Sequence, residues 1–347
     1  VSVLMHEKQA GRGVGVRAVN VAELFNQFAG PEVIALDERG QSHVLVGASG
    51  RRTRLTVLED GTWLRGLAVG DIDGRIPGDE LYVSSGSGRV FQIVAHNEGI
   101  VDGRFVANMD GREVHTLVAG EFDSKHEGEE LLAYTEPGGA YLLTPRDDRD
   151  GFEARLLDVS LGRIRDAVLV PNPGSTVTIV ACASRAGTVE IHALRDGEIE
   201  RGSIHRTESG RGRIALAQGR FEGDPLVLYS TCDDGRVFRH EQIQGMNWRS
   251  EMIYRGEKGL RGLVSGDFLP GEGSPECIAI FGSSEGVKLL VQDGAAEWSA
   301  VPIFEEAGRG HWLSSAELDG TNDTEELLLA SDSGRVVMLT RVPAEEF

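Results

Sequence analysis

The sequence predicts an all-β fold, a seven-bladed β-propeller with four-stranded blades, in which the N-terminal strand closes the last blade. Two observations support this: the chain repeats itself seven times with a period of about 49 residues, and every repeat carries a glycine at the same hairpin position. Four short antiparallel strands with three hairpins have this length, whereas leucine-rich and ankyrin units are shorter. We therefore expect a single domain over residues 1–347.

The repeats are aligned on their leading strands, which begin near positions 17, 65, 115, 165, 214, 261 and 311. The apolar runs are short, rich in Val, Ile and Leu, and bounded by Gly or Asp, which favours strands over helices. The predicted blades cover residues 13–60, 61–110, 111–160, 161–207, 208–256, 257–306, and 307–347 together with 1–12.

The hairpin between the second and third strands of each unit supports the alignment independently. Its glycines are Gly40, Gly88, Gly139, Gly187, Gly235, Gly286 and Gly334. A two-residue hairpin needs positive φ in its turn, and glycine adopts positive φ without steric cost. The recurrence therefore predicts seven equivalent tight hairpins.

The two ends of the chain are complementary. The seventh unit stops after its third strand, and the opening "VSVLMHEKQAGRG" matches the fourth-strand segments "AVPIFEEAGRG" and "GSIHRTESGRG". Residues 2–9 should therefore supply the missing outer strand of the seventh blade, which removes an unpaired edge and holds the ring shut.

Composition limits the classes of partner. A net charge of −20 opposes binding to nucleic acid or to an anionic membrane, and no apolar run approaches the ~18 residues of a membrane span. The residues Cys182, Cys232 and Cys277 show no metal-type spacing, so we expect buried, reduced thiols and no structural zinc. We expect the protein to be soluble, and no signal-like segment opens the chain. The sequence does not distinguish a cytoplasmic protein from a processed one.

The segment "GDIDGRIPGDELYV", with echoes in "ELDGTNDTEELLL" and "GDFLPGEGSPECIAI", resembles the FG-GAP or VCBS type of propeller repeat. The resemblance implies platforms that bind carbohydrate or protein, or the body of polysaccharide lyases and sugar dehydratases. It also implies calcium, for which the candidates here are Asp71, Asp73, Asp79, Asp319 and Asp323. The third Asp of the family's DxDxDG pattern is missing, and such carboxylates also accept backbone hydrogen bonds in Asx turns.

The leading strands carry a column of cationic residues. It reads Arg17, Arg65, His115, Arg165, Ile214, Arg261 and His311. Innermost propeller strands surround a channel, so these side chains should form a ring at one opening, and Arg213 would join it through a small shift in register. Like charges about 9 Å apart at an effective dielectric near 20 repel by about 2 kcal/mol, so the ring needs negative charge nearby.

Two sources of that negative charge are open. In the first, each cation pairs with a carboxylate of its own or the next blade, such as Asp166, Glu113 or Glu257. In the second, the ring binds an anionic small molecule or acidic glycan, because guanidinium groups hold carboxylate, sulfate or phosphate through paired hydrogen bonds. Six positions further along lie Glu23, Asp71, Glu121, Pro171, Arg220, Asp267 and Glu317, which we expect to cap the following loops.

Three functions follow from these patterns. The first is a recognition module for an anionic ligand, and the second is a protein-interaction scaffold whose ring is internally neutralised. The third is a lyase or dehydratase acting on a sugar acid, with His115 or His311 as base, an arginine on the substrate carboxylate, and Tyr254 as proton donor. The four tryptophans are expected mainly to cover blade seams.

Overall fold

A computed structural model describes most of the chain. The described residues are 2–6, 8–9, 12–24, 30–47, 53–76, 78–95, 101–126, 128–146, 151–172, 174–217, 226–244, 247–269, 277–283, 286–292, 297–306, 308–318 and 324–341. Within these ranges the regular structure consists of β-strands.

Short strands open the chain: β1 (Ser2–His6), β2 (Lys8–Gln9) and β3 (Arg12–Gly13). The first blade is β4 (Val16–Ala22), β5 (Glu32–Asp37), β6 (Gln41–Val46) and β7 (Thr53–Glu59). The second is β8 (Leu64–Gly70), β9 (Glu80–Ser85), β10 (Arg89–Ala95) and β11 (Val101–Asn108). The third is β12 (Glu113–Gly120), β13 (Glu130–Glu136), β14 (Gly139–Pro145) and β15 (Phe152–Asp158).

The fourth blade is β16 (Ile164–Val170), β17 (Thr178–Ser184), β18 (Thr188–Arg195) and β19 (Glu198–Arg206). The fifth is β20 (Arg211–Ala217), β21 (Val227–Cys232), β22 (Arg236–Gln244) and β23 (Asn247–Arg255). The sixth is β24 (Gly262–Ser265), β25 (Cys277–Phe281), β26 (Val287–Gln292) and β27 (Trp298–Phe304). The last is β28 (Gly310–Ala316), β29 (Glu326–Ser331) and β30 (Arg335–Leu339), joined by β1.

These strands form a closed ring of seven antiparallel four-stranded sheets, which confirms the predicted fold class. Each inner strand contacts the inner strand of the next blade, and β28 contacts β4 to complete the circle. Strand β1 pairs with β30 from Ser2 opposite Met338 to His6 opposite Arg335. The predicted closure of the last blade by the N-terminal strand is therefore also confirmed.

The hydrophobic core is distributed between the blades. Among the described residues, seven apolar clusters each join two neighbouring blades, and an eighth, smaller one lies in the first blade. One of them packs Met5 of β1, 5% exposed, with Val16 of β4 and Val336 of β30. Each blade is therefore stabilised by its neighbours, as in other repeat architectures.

The hairpins after the second strands differ from the two-residue turns that the glycines predict. In the first blade the connection has three residues, with Gly40 at φ 89° and its N–H bonded to the Asp37 carbonyl. This is a type I turn followed by a left-handed glycine, which is a common three-residue hairpin. Gly139 is the exception among the seven, since it has no positive φ and its turn contains the cis Glu136–Pro137 peptide.

The three cysteines are buried and free, as predicted. The described residues include no helix with the length and apolar character needed to cross a membrane.

Candidate functional site

The predicted column of cations lies at the start of the inner strands, and several of its members are linked to one another directly or through a shared carboxylate. The Arg17 Nη1 atom is 3.0 Å from His311 Nε2, which joins the first blade to the last. On the other side, Arg165 and Arg261 reach the same carboxylate, Asp233, at 2.8 and 2.9 Å. The structure therefore brings column residues of different blades together at one mouth of the channel.

Five of the six Arg and His residues of the column have a carboxylate partner. Besides the two that share Asp233, Arg17 donates to Glu38 at 2.8 Å, and His311 bonds to Asp332. The His115 Nε2 atom lies 3.1 Å from Glu136 Oε2 and 3.2 Å from Glu113 Oε2. Most of the ring is thus neutralised internally, mainly by residues other than those named from the sequence.

Three of these acids come from one position of the repeat, two residues before the hairpin glycine. The residues there are Glu38, Gly86, Pro137, Arg185, Asp233 and Asp332 in described blades. The second blade has no acid at this position, because a Cβ on Gly86 would lie 2.5 Å from the Trp63 ring. The fourth blade has a cation, Arg185, at the same place. The mouth is therefore least neutralised around the second to fourth blades.

Arg65 is the column residue that has no hydrogen-bond or ion-pair partner among the described residues. Its partly buried side chain makes no hydrogen bond or ion pair within the described portion of the chain. Burial, and then the positive charges of Arg213 and Arg163, hold the pKa of Arg65 well below its usual value. Burial and the neighbouring arginines thus disfavour this positive charge, and the Asp166 carboxylate acts in the opposite direction.

Arg65 opens into a cavity of about 350 Å³, which we call the mouth cavity. Its lining residues are Arg17, Glu38, Trp63, Arg65, Glu113, His115 and Arg163. The Trp63 and His115 rings stack with centroids 5.2 Å apart and planes inclined by 23°, which makes a flat aromatic wall. The Arg163 guanidinium is held by Glu136 at 2.7 Å. Within the ranges that the structure describes, the cavity thus combines one cation without a partner, two paired cations and an aromatic face.

The two candidate bases at the mouth are poor proton acceptors near neutral pH. Burial, and then the positive charges of Arg65 and Arg163, lower the pKa of His115 to about 2. Burial also lowers the pKa of His311, against the opposing effect of Asp332. His115 is therefore neutral at pH 7, and its role at the mouth is to support Trp63 and to hydrogen-bond the neighbouring carboxylates.

Arg213 occupies the channel, in line with the small register shift expected for it. The pairing of β20 with β21 is irregular between Arg211 and Ile214, and this turns Arg213 inward, where it is 5% exposed. Its guanidinium donates to the carbonyl oxygens of Arg261 at 2.8 Å and His311 at 3.0 Å. It also lies 3.4 Å from Asp166 Oδ1. One side chain of the fifth blade thus bonds to the fourth, sixth and seventh blades.

The loop carboxylates proposed for calcium lie away from this mouth. Asp73 is buried and held by Arg75 and Arg104, and it accepts the Arg75 backbone N–H in an Asx-type turn. Asp71 and Asp79 are exposed. Two guanidinium groups at Asp73 compete with any cation for its oxygens. The remaining candidates, Asp319 and Asp323, lie outside the described residues.

Loop capping is done by a set of buried glutamates that the sequence reasoning missed. They begin the second strand in four blades: Glu32, Glu80, Glu130 and Glu326. Each carboxylate accepts a backbone N–H of the loop after the first strand, as Glu80 does from Ile72 at 3.1 Å. The acidic positions expected to cap, such as Glu23, are instead exposed, and Arg220 lies outside the described residues. The repeated "E-L" or "E-V" opening of these strands was the available signal.

Tyr254 is not brought to the mouth. It lies on β23, the outer strand of the fifth blade, and its hydroxyl accepts a hydrogen bond from Lys288 at 3.1 Å. Trp248, Trp298 and Trp312 pack against seams between blades, as expected. Trp63 is the tryptophan that lines the mouth cavity.

Comparison with known proteins identifies the fold. No protein-family model and no curated protein matches the sequence. The WD40 β-propeller domain of Doa1 superposes with a TM-score of 0.62 at 12% identity, over 99% of this chain and 98% of that domain. Mercury-soaked BBS1N in complex with ARL6DN gives a TM-score of 0.61 at 13% identity over 99% of both chains. At such identities the likeness shows the β-propeller fold alone, and it does not confirm the FG-GAP or VCBS repeat type.

Proposed function

We propose that the chain is a recognition propeller that binds an anionic small molecule or acidic glycan at the mouth cavity. The observation that carries the proposal is the partly buried guanidinium of Arg65, which opens into that cavity and has no ion-pair partner in the described part of the chain. A desolvated positive charge without a carboxylate in hydrogen-bond contact is unfavourable, and a bound anion reduces this cost through paired hydrogen bonds. The site is one sector of the mouth, because the other ring cations already have carboxylate partners.

A titration with simple anions tests this proposal. Sodium glucuronate, sulfate and phosphate are titrated into the protein at low salt, with isothermal calorimetry as the readout. At least one anion should bind, and Arg65→Gln should weaken it about a hundredfold or more, since charge-assisted bidentate pairs contribute about 3 kcal/mol. The control is Arg249→Gln, which removes a 63%-exposed arginine of the outer strand β23 and should leave binding unchanged. Equal affinity in wild type and Arg65→Gln would sink the proposal, as would the absence of binding by all three anions.

The geometry does not favour the lyase or dehydratase hypothesis. A general base is efficient when its pKa lies near the working pH, and burial beside arginines holds His115 far below that range. His311 is engaged by Asp332 and Arg17, and Tyr254 lies on an outer strand. The acid and base that elimination requires are therefore not assembled around Arg65.

A second candidate function is a protein-interaction scaffold. Three large apolar side chains are exposed at equivalent positions of outer strands, each immediately before a bulge: Phe105 (54%), Leu156 (46%) and Met252 (51%). Exposed apolar side chains are a feature of protein contact surfaces. The similar BBS1N propeller was crystallised with a partner protein, which supports this reading by analogy.

The scaffold function is tested on the second and third blades, whose outer strands β11 and β15 are in contact. Wild type and the Phe105→Ser, Leu156→Ser double variant are compared as baits in the source lysate. A partner that binds wild type and is lost from the double variant supports the scaffold function. A partner that both baits retain equally does not bind the surface around Phe105 and Leu156. Loss of that partner from an Arg65→Gln bait would place its binding at the mouth cavity instead.

A further inference from the structure

The charges that line the mouth cavity leave one positive charge to be neutralised. Arg17 is paired with Glu38 and Arg163 with Glu136, at 2.8 and 2.7 Å. His115 is neutral, so Arg65 is the lining residue whose charge is without a partner among the described groups. Resting on the proposed function, we infer that the cavity binds a single planar carboxylate on a ligand with a flat face, in preference to a phosphate monoester.

A second negative charge on the ligand meets carboxylates of the protein itself. Glu38 and Glu113 both line the mouth cavity, and their side chains are 39% and 45% exposed. A phosphate monoester carries nearly two charges at pH 7, whereas a carboxylate carries one. Arg65 can hold either group through two parallel N–H bonds. The preference for a carboxylate over a phosphate monoester therefore comes from the neighbouring glutamates, which repel the extra charge of the phosphate.

The aromatic wall favours a particular kind of ligand group next to the carboxylate. Trp63 is fixed from behind by Gly86 and from the side by the stacked His115 ring. A ring or other flat apolar group packs against such a surface more favourably than a bulky, fully solvated one. The volume of about 350 Å³ lies at the small end of ligand pockets, which suits one ring with its carboxylate.

A cation at the same place is the competing interpretation, since Glu113, His115 and Glu136 present ligand atoms within 4.8 Å of one another. The hydrogen bonds oppose it. Arg163 Nη2 lies 3.4 Å from His115 Nδ1, and a guanidinium only donates, so Nδ1 accepts and the proton sits on Nε2. That proton points at the two carboxylates, and no lone pair on Nε2 is available to a metal. Arg65, Arg165 and Arg185 add positive charge around the imidazole.

The test compares benzoate with phenyl phosphate, which share a ring and differ in the charge of the acid group. At pH 7.5 benzoate should bind about tenfold tighter or more by calorimetry, and Arg65→Gln should abolish binding of both. Glu113→Gln removes one repelling charge, so it should strengthen phenyl phosphate by about tenfold while changing benzoate less. At pH 5, where the phosphate ester carries one charge, the difference between the two should narrow.

The outcomes separate this inference from the proposed function. Phenyl phosphate binding as tightly as benzoate, and lost in Arg65→Gln, overturns the carboxylate preference and leaves anion recognition standing. Binding of neither compound, together with no binding of glucuronate, sulfate or phosphate, overturns both. Two further carboxylates show which kind of natural ligand carries the bound group: glucuronate represents a sugar acid, and an acetylated peptide ending in phenylalanine represents a protein C-terminus. Tighter binding of either compound than of its amide supports the inference and identifies that class of ligand.

Discussion

The Arg213 guanidinium lies over the Trp312 indole, with its central carbon 3.6 Å from the ring centroid. This contact joins the fifth blade to the seventh across the channel, where a propeller has no sheet hydrogen bonds between blades. Cation–π pairs that are removed from water contribute about 2 kcal/mol. Together with its bonds to three other blades, the contact makes Arg213 the main polar link inside the ring.

Replacement of Arg213 should therefore destabilise the whole ring. Arg213→Met keeps much of the volume but leaves the Asp166 carboxylate buried without its partner, and loss of one member of a buried pair costs about 3–5 kcal/mol. Urea unfolding followed by tryptophan fluorescence measures this change. The control is Arg236→Gln, because Arg236 pairs with Asp234 in a partly exposed turn, where an ion pair contributes about 1 kcal/mol at most.

A double variant checks the physical reason. Arg213→Met combined with Asp166→Asn removes the buried charge as well as its partner, so it should be more stable than Arg213→Met alone. If the single variant is as stable as wild type, the bonds of Arg213 do not hold the ring together.

Closure by the N-terminal strand gives a second prediction. Met5→Ala removes a side chain that packs between the first and last blades, and such buried truncations cost about 2–5 kcal/mol. Met252→Ala is the matched control, since that methionine is 51% exposed and surface changes fall within about 0.5 kcal/mol. Thermal unfolding of both variants measures the difference. Equal melting temperatures would mean that β1 does not close the ring.

The fold could be predicted because its determinants are local and repeated. Short apolar runs, a hairpin glycine in every unit and the match between the first residues and other fourth strands are all visible in the sequence. The column of cations was also predictable, because equivalent residues of equivalent strands share one position around a ring.

The partners of the column were not predictable in the same way. Glu38, Asp233 and Asp332 lie on hairpin turns and reach cations of their own or neighbouring blades, so the pairing depends on how the blades stack. Gly86 gave no indication by itself that Arg65 would be unpaired, because the reason is its contact with Trp63. The capping glutamates were missed because a charged residue at the start of a strand suggests exposure.

One of these glutamates predicts a pH dependence of stability. Burial raises the pKa of Glu80 from 4.5 to about 7, so the folded chain holds this proton more tightly than the unfolded chain. Between pH 4.5 and 7 the free energy of unfolding therefore falls as the pH rises, by up to about 3 kcal/mol from this group. Glu80→Gln should flatten that part of the profile, because the amide oxygen still accepts the loop N–H but does not titrate.

The control for this prediction is Tyr82→Phe. It removes the hydroxyl that donates to Glu80 at 3.1 Å and leaves the titrating carboxyl in place. Urea unfolding is measured from pH 4.5 to 7.5. The free energy of unfolding of Tyr82→Phe should differ from that of wild type, but it should still fall as the pH rises through this range. If Glu80→Gln and wild type have the same slope, Glu80 is ionised in the folded state throughout this range.

Arg65 gives the last prediction, in which stability and binding change in opposite directions. Its charge is partly buried beside other arginines and without a described partner, so Arg65→Met should be as stable as wild type or up to about 1 kcal/mol more stable. Arg165→Met is the comparison and should lose about 1.5–3 kcal/mol, because it removes a buried ion pair with Asp233.

A bound anion at a hundred times its dissociation constant should stabilise wild type by about 2.7 kcal/mol and leave Arg65→Met unchanged. Thermal unfolding with and without glucuronate or benzoate measures all three effects. A large loss of stability in Arg65→Met would show that Arg65 is a structural residue of the ring, and the mouth cavity would then lose its reason to bind an anion.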